Sequence, residues 1–142
     1  MEKSMILEMN DIALDIFKLL TTRYKKLGLE VTPVQGRIIM ALYSQNNLLC
    51  QKDIEANVPC NKSTLSAILN TMEKNGLITR QGSEKDSRKK NIILTAKSLE
   101  IAEFLKEDNL HISKILGSNI TEDEYIIFGQ ILEKIKTNVE RI

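Results

Sequence analysis

The sequence has few of the residues from which disulfide scaffolds and metal sites are built. Its two cysteines, Cys50 and Cys60, are too few for a disulfide framework, and the single histidine, His111, adds little to them as a metal-ligand set. The chain has no nucleophile elbow, glycine-rich phosphate loop or zinc motif. These absences predict a protein that is not an enzyme and that binds no metal or cofactor.

Long apolar runs are also missing. No segment approaches the ~18 consecutive apolar residues that a membrane span needs. The N-terminal segment carries Glu2, Glu8, Asp11 and Asp15, whereas a signal peptide has a basic region followed by an apolar one. We therefore expect a cytoplasmic protein that has no membrane partner.

Proline and glycine are scarce, with 2 Pro and 6 Gly among 142 residues. The hydrophobic fraction of 42% and the charged fraction of 27% are typical of a globular domain, and the length fits one such domain. The composition therefore predicts a single, mainly helical domain over residues 1–142.

The net charge of +1 is divided unevenly along the chain. Residues 61–97 hold eight basic and three acidic side chains, a net charge of +5, so the remainder carries −4. A basic segment between mildly acidic ends is typical of a surface that binds phosphate. A solvated, lysine-rich loop has the same composition and is the alternative.

Apolar residues recur at intervals of three and four near both ends of the chain, as they do on one face of an amphipathic helix. The first stripe runs from Ile6 to Leu27, and another follows Thr95. A last helix begins with the capping sequence Thr121 to Glu124 and carries a seam that favours a partner helix. This seam consists of Phe128, Leu132, Ile135, Val139 and Ile142.

The middle of the chain has the layout of a helix-turn-helix. A short helix over 51–57 is stopped by the Val58-Pro59 step, because the residue before proline resists helical dihedral angles. A second helix opens at Asn61 or Ser63 and closes at Asn75-Gly76, where glycine accepts the left-handed conformation of a helix end. In such a motif the second helix, the recognition helix, enters the major groove of DNA.

A basic hairpin follows the recognition helix. β-Branched residues are frequent in 77–81 and 91–95, and the stretch between them, Gly82 to Lys90, is polar and charged. The predicted fold class is therefore mainly α with a small β-hairpin wing. A winged helix-turn-helix lobe at about 30–97 is flanked by long dimerisation helices at about 5–28 and 96–142.

Two groups of side chains are candidates for DNA contact. The recognition helix offers side chains that can approach base edges or phosphates, although those at its start can also serve as helix caps. The wing offers side chains that can reach the neighbouring backbone or minor groove, and Asp86 is predicted to orient Arg88. The candidates are Asn61, Lys62, Ser63, Thr64, Ser66 and Asn70 on the helix, and Arg80, Lys85, Asp86, Arg88, Lys89 and Lys90 on the wing.

Several of these segments resemble the MarR (multiple antibiotic resistance regulator) family. That family's pattern includes a threonine-proline-x-glutamine opening of the second helix, a leucine-glutamate-lysine-x-glycine-leucine close of the recognition helix and an aspartate-x-arginine wing. This chain fills those places, with methionine where leucine is usual. It departs from the pattern at Ser98, where the family has a glycine, which bears on how the fifth helix begins. The matching residues are Thr32, Pro33 and Gln35, then Met72 to Leu77, and Asp86 with Arg88.

The resemblance covers nearly the whole chain and implies a function. It implies a transcriptional regulator that binds double-stranded DNA as a homodimer, with two recognition helices about one helical turn apart on a pseudo-palindromic operator. Repression is the commoner mode in that family, and release by a small anionic or aromatic effector is implied as well. Such an effector would act by favouring one separation of the DNA-binding lobes.

Two alternatives remain open at this point. A winged helix also serves as a protein-protein interaction module in some proteins, although the +5 segment argues against that function here. Cys60, just before the recognition helix, is a candidate redox switch whose oxidation would disturb DNA contact. The other interpretation of Cys60, which we favour, is a small packed residue.

Overall fold

The computed structural model describes residues 3–82 and 88–142 of the chain. The helices of this part, in chain order, are α1 (Met5–Lys26), α2 (Pro33–Ser44), α3 (Gln51–Glu55), α4 (Lys62–Lys74), α5 (Ala96–Leu116) and α6 (Glu122–Glu140). Its strands are β1 (Leu49–Cys50), β2 (Ile78–Gly82) and β3 (Lys90–Leu94). The predicted fold class, mainly helical with a small β wing, is confirmed.

The strands form one antiparallel sheet in the order β1-β3-β2. β2 pairs with β3 from Ile78 opposite Leu94 to Gly82 opposite Lys90, which is the predicted hairpin. The sequence predicted two strands only, whereas β1 adds a third by pairing Leu49 with Ile92. A strand of two residues is too short to show an alternating pattern, so its pairing depends on tertiary contacts.

Local signals set the starts of the helices. At α2, the Thr32 hydroxyl accepts a hydrogen bond from the Gln35 backbone at 3.2 Å, and the Gln35 side chain accepts one from the Thr32 backbone at 3.0 Å. The same reciprocal capping box opens α6, between Thr121 and Glu124. α4 ends before Gly76, whose φ of 73° lies in the left-handed region that glycine adopts without strain. These predicted helix boundaries are confirmed.

The start of α5 shows how the chain accommodates Ser98 where the resembled family has glycine. Ser98 is fully buried, and its hydroxyl donates to the Leu77 carbonyl at 2.7 Å while accepting from the Thr95 backbone N–H at 3.0 Å. The Thr95 hydroxyl donates to the Gly76 carbonyl at 2.7 Å. These bonds attach the first turn of α5 to the segment that leaves α4.

The chain divides into two units, Met1–Lys106 and Glu107–Ile142, and α5 crosses the boundary. The first unit contains a hydrophobic core contributed by α1, α2, α3, α4, β2, β3 and the start of α5. Its fully buried side chains include Ile38, Ile39, Leu42, Ile54, Leu65, Leu69, Met72, Leu77, Ile78, Ile92 and Leu105.

The terminal helices, in contrast, leave many large apolar side chains exposed. All residues of α6 are described, and none of them is buried. In α1 the exposed apolar residues lie mainly in the N-terminal two thirds, whereas Tyr24 near its end is buried. Within residues 3–82 and 88–142, no helix has the length and apolar character needed to cross a membrane. The exposed apolar residues of these helices are Met5, Ile6, Leu7, Met9, Ile12, Leu14, Phe17 and Leu19 on α1, and Tyr125, Ile126, Ile127, Phe128, Ile131 and Val139 on α6.

Candidate nucleic-acid interface

The first turn of α4 is held by its own cap. The Asn61 side-chain oxygen accepts a hydrogen bond from the Thr64 backbone N–H at 2.8 Å and another from the Ser63 hydroxyl at 2.9 Å. Asn61 therefore acts as a helix cap, one of the two roles that the sequence allowed it. Lys62 and Thr64, two further candidates for DNA contact, are exposed on the same turn.

α4 has one buried face and one polar face. Leu65, Leu69 and Met72 are fully buried and lie within about 60° of one another at 100° per residue. The opposite side of the helix carries exposed residues at the same periodicity: Ser63, Ala67, Asn70, Thr71 and Lys74. Ser63 and Asn70 were predicted as contacts, whereas Ala67, Thr71 and Lys74 were not, although the helical spacing alone places them on this face.

Ser66 lies on the flank of α4 that meets α3. It is half-buried, and its hydroxyl accepts a hydrogen bond from the Gln51 side-chain amide at 2.7 Å. This bond links the two helices of the helix-turn-helix. Ser66 therefore sits beside the outermost stripe of α4, where a bonded and half-buried hydroxyl has less access to a ligand than Ser63 or Asn70.

Arg80 joins the wing to the recognition helix. From β2, its guanidinium donates to the Glu73 carboxylate at 3.1 Å and to the Asn70 side-chain oxygen at 3.1 Å. The Arg80 side chain is 20% exposed, whereas that of Glu73 is 44% exposed. Sequence reasoning placed Arg80 and Asn70 among the DNA contacts but gave no sign that they contact each other.

The described part of the wing presents a basic end. Arg88, Lys89 and Lys90 are all exposed, and Lys90 closes the β2-β3 register opposite Gly82. Lys85 and Asp86 lie outside the described residues, and so does the predicted pairing of Asp86 with Arg88. Arg88, Lys89 and Lys90 are therefore accessible to a phosphate backbone, whereas the Arg80 side chain is only 20% exposed.

Asp53, at the start of α3, interacts electrostatically with Lys89 of the wing. Asp53 accepts hydrogen bonds from the Cys50 backbone N–H at 2.9 Å and from the Cys50 thiol at 3.1 Å. The backbone bond is the largest cause of a lowered pKa of the Asp53 carboxyl, followed by the thiol bond, and the positive charge of Lys89 lowers that pKa further. The Asp53 carboxylate thus stays ionised beside the basic wing.

Both cysteines are free and half-buried. Cys60 packs against the hydrophobic core of the first unit, and its backbone N–H donates to the Val58 carbonyl at 2.8 Å. This position fits the interpretation of Cys60 as a small packed residue. His111 is exposed on α5, and within residues 3–82 and 88–142 no three potential metal ligands cluster.

A small apolar cavity of about 170 Å³ lies between α1 and the start of α2. Phe17, Tyr24, Val31 and Pro33 form its apolar walls. Lys25 supplies the one cationic side chain among the lining residues. The cavity is below the ~300 Å³ at which pockets for drug-sized ligands begin, so only a small molecule would fit it.

Comparison with known proteins gives a family match and a close relation in fold. Residues 31–90 match the model of the MarR family. The HTH-type transcriptional regulator YybA of Bacillus subtilis (strain 168) is 20% identical over 113 residues, which cover 80% of this chain and 75% of that protein. The predicted resemblance to the MarR family is confirmed.

Solved structures share the fold over almost the whole chain. The S. aureus MepR-DNA complex superposes with a TM-score of 0.87 at 24% identity, over 97% of this chain and 99% of that one. A MarR/EmrR family transcriptional regulator from Acinetobacter sp. ADP1 superposes with a TM-score of 0.87 at 21% identity, over 96% and 95% of the two chains. These superpositions show a common winged helix architecture.

Proposed function

We propose that this chain, which carries a MarR-family domain over residues 31–90, is a transcriptional regulator that binds double-stranded DNA. The observation that carries the proposal is the two-sided character of α4. One side is anchored by Leu65, Leu69 and Met72, and the other presents an exposed polar surface beside a basic wing. A helix of this kind can enter the major groove while the wing contacts the neighbouring backbone. MepR, which has the same fold, has been solved bound to DNA.

We further propose that the chain acts as a homodimer. The apolar faces of α1 and α6 are exposed in one copy, and exposed apolar surfaces of this extent mark interaction sites. A second copy is the natural occupant, because a two-fold axis pairs each helix with its own equivalent. Two recognition helices would then meet a pseudo-palindromic operator at half-sites about one helical turn apart.

We also propose that the protein represses transcription and that a small effector releases it from DNA. Repression is the commoner mode of the family that the sequence resembles. The cavity between α1 and α2 supports a small effector, since its apolar walls suit an aromatic ring. A ligand that binds one conformation better than another shifts the population towards it by its difference in affinity.

The test is a mobility-shift experiment over a series of salt concentrations. Wild type, Arg88→Ala and the control Lys106→Ala are compared on a promoter-upstream duplex and on a duplex of random sequence. Lys106 is exposed on α5, so its removal matches the charge change outside the basic segment. We expect tighter binding to the promoter duplex, and a salt slope that falls by about two for Arg88→Ala, one for each copy in the dimer, but not for the control.

The protein-interaction alternative gives the opposite result in the same experiment. A folded dimer that binds neither duplex at low salt would contradict the DNA-binding proposal and favour an interaction module. Equal loss of affinity in both variants would mean that binding depends on overall charge and not on the wing.

A further inference from the structure

The contact between Arg80 and Asn70 fixes the orientation of an amide group. A guanidinium can only donate hydrogen bonds, so its partner on Asn70 must be the side-chain oxygen, Oδ1. The Arg80 Nη2 to Asn70 Oδ1 distance is 3.1 Å. A rotation of the amide by 180° would place its NH2 group against the guanidinium, and two donors repel. The amide of Asn70 is therefore held in one of its two orientations.

Arg80 is itself anchored, which gives the constraint its rigidity. Its other terminal nitrogen, Nη1, donates to Glu73 Oε1 at 3.1 Å, and its side chain is only 20% exposed between β2 and α4. Arg80 thus spans Asn70 and Glu73, which are three residues apart on the same helix and so are neighbours on its surface. Both interactions turn the guanidinium towards α4.

Asn70 lies on the exposed face of α4, in register with Ser63 and Ala67. The bond to Arg80 occupies one lone pair of Oδ1 and leaves the second lone pair together with the two N–H donors of the amide. An acceptor and a donor held side by side match the edge of adenine in the major groove, which offers the N6 amino group and the N7 acceptor. A residue that presented only donors would favour guanine instead.

We propose, on the premise of the DNA-binding function above, that Asn70 reads an adenine in each half-site and that Arg80 is the positioning residue that holds its amide in the reading orientation. Arg80 then acts on specificity through Asn70. The sequence-based prediction had instead placed Arg80 among the direct contacts of the wing with DNA.

The experiment is selection of bound sequences from a randomised duplex library, followed by affinity measurements over a salt series. For wild type we expect an adenine preference at one position of each half-site. Asn70→Ala should remove the preference at that position alone and weaken binding to the preferred sequence by about 5- to 150-fold for each half-site, so that the two losses multiply in the dimer. Alanine keeps the helix, because its helix propensity is the highest of the amino acids.

Two variants test the positioning role. Arg80→Lys keeps the charge but loses the planar fork that reaches Asn70 and Glu73 together, so it should lose most of the adenine preference with an unchanged salt slope. Glu73→Gln weakens the interaction of Arg80 with residue 73 but keeps the guanidinium. It should therefore reduce the adenine preference by less than Arg80→Lys does. The control Lys74→Ala, on the same exposed face, should weaken binding to all sequences alike and lower the salt slope by about two, one for each copy in the dimer.

The outcomes separate the inference from the proposed function. Absence of wild-type binding at low salt would overturn the function and the inference together. Binding with an adenine preference that survives in Asn70→Ala would overturn the reading role and leave the function intact. Loss of the preference in Asn70→Ala but not in Arg80→Lys would overturn the positioning role. A salt slope that falls by about two in Arg80→Ala, one for each copy in the dimer, would assign Arg80 to a phosphate instead.

Discussion

The helices α4 and α6 are both amphipathic, but only α4 covers its apolar face within its own chain. Leu65, Leu69 and Met72 of α4 are fully buried, whereas Phe128 and Val139 of α6 are 55% and 63% exposed. Most of the stability of a helix in a protein comes from packing of its apolar face and not from helix propensity. The structure of α4 therefore depends on its own chain, whereas α6 needs a partner, which we propose to be a second copy.

α1 has an exposed apolar end and a buried end in one helix. Its apolar residues near the N-terminus, such as Ile6 and Ile12, are more than half exposed, whereas Tyr24 near its C-terminal end is 5% exposed. The buried end packs in the core of the first unit. The exposed end has the same need for a partner as α6.

The largest effect is expected from truncation of the buried face of α4. Leu69→Ala should lower the free energy of unfolding by about 2–5 kcal/mol, because it removes a core side chain and leaves a cavity. Denaturant unfolding at one fixed protein concentration measures this loss. The dimer dissociation constant, from sedimentation equilibrium, should hardly change. A loss below about 1 kcal/mol would contradict the anchoring of α4 by its own chain.

The equivalent change on α6 should act on association instead. About half of the Phe128 side chain is exposed, so its burial in a dimer would contribute about half of the 1.5–3 kcal/mol of full burial, once in each copy. Phe128→Ala should therefore weaken the dimer by about 1.5–3 kcal/mol, or about 10- to 150-fold in the dissociation constant. Glu133→Ala on the same helix is the control. An unchanged dissociation constant would remove α6 from the interface.

The capping boxes of α2 and α6 allow the same substitution to be made in both regions. Thr32 opens α2 and Thr121 opens α6 with the same reciprocal capping box. Replacement of either threonine by alanine should cost about 1 kcal/mol. Thr32→Ala should lower the stability of the fold without changing the dimer, whereas Thr121→Ala should show its loss mainly as weaker association. The same response of both variants in sedimentation and unfolding experiments would argue that the two regions do not differ.

The smallest effect concerns the pH dependence of stability and arises at the start of α3. The pKa of Asp53 is lowered in the fold, chiefly by the Cys50 backbone N–H, so its carboxylate stabilises the fold at pH values above the unfolded pKa of about 3.9. This contribution is lost as the pH falls through the lower pKa of the folded state. The stability difference between wild type and Asp53→Asn should therefore be constant near neutral pH and shrink on acidification below about pH 4. A difference that grows on acidification would contradict the shift.

The helix boundaries were predictable from the sequence because their signals act over a few residues. The Thr32 and Thr121 boxes and Gly76 each determine a local conformation and appear where the sequence placed them, whereas α3, predicted to run to Asn57, already ends at Glu55. β1 was not predictable. Leu49 pairs with Ile92, 43 positions further along the chain, and two residues carry no periodic pattern.

The candidate interface was predictable in place but not in detail. Selection by polarity alone included Ser66, which the structure places against Gln51, and omitted Ala67, Thr71 and Lys74. The helical spacing of Leu65, Leu69 and Met72 contains the information needed to assign these residues to faces. The contact of Arg80 with Asn70 could not be predicted, because it depends on how closely β2 approaches α4.

Hydroxyl-radical footprinting of the folded dimer on the promoter duplex tests the proposed DNA binding most directly. We expect two protected patches whose centres lie about one helical turn, ~10 base pairs, apart, with further protection from the wings on the flanking backbone. In Arg88→Ala the flanking protection should weaken while the central patches persist at higher protein concentration. No protection at concentrations at which the protein is a folded dimer would contradict the proposal that the protein binds DNA through its winged helix-turn-helix.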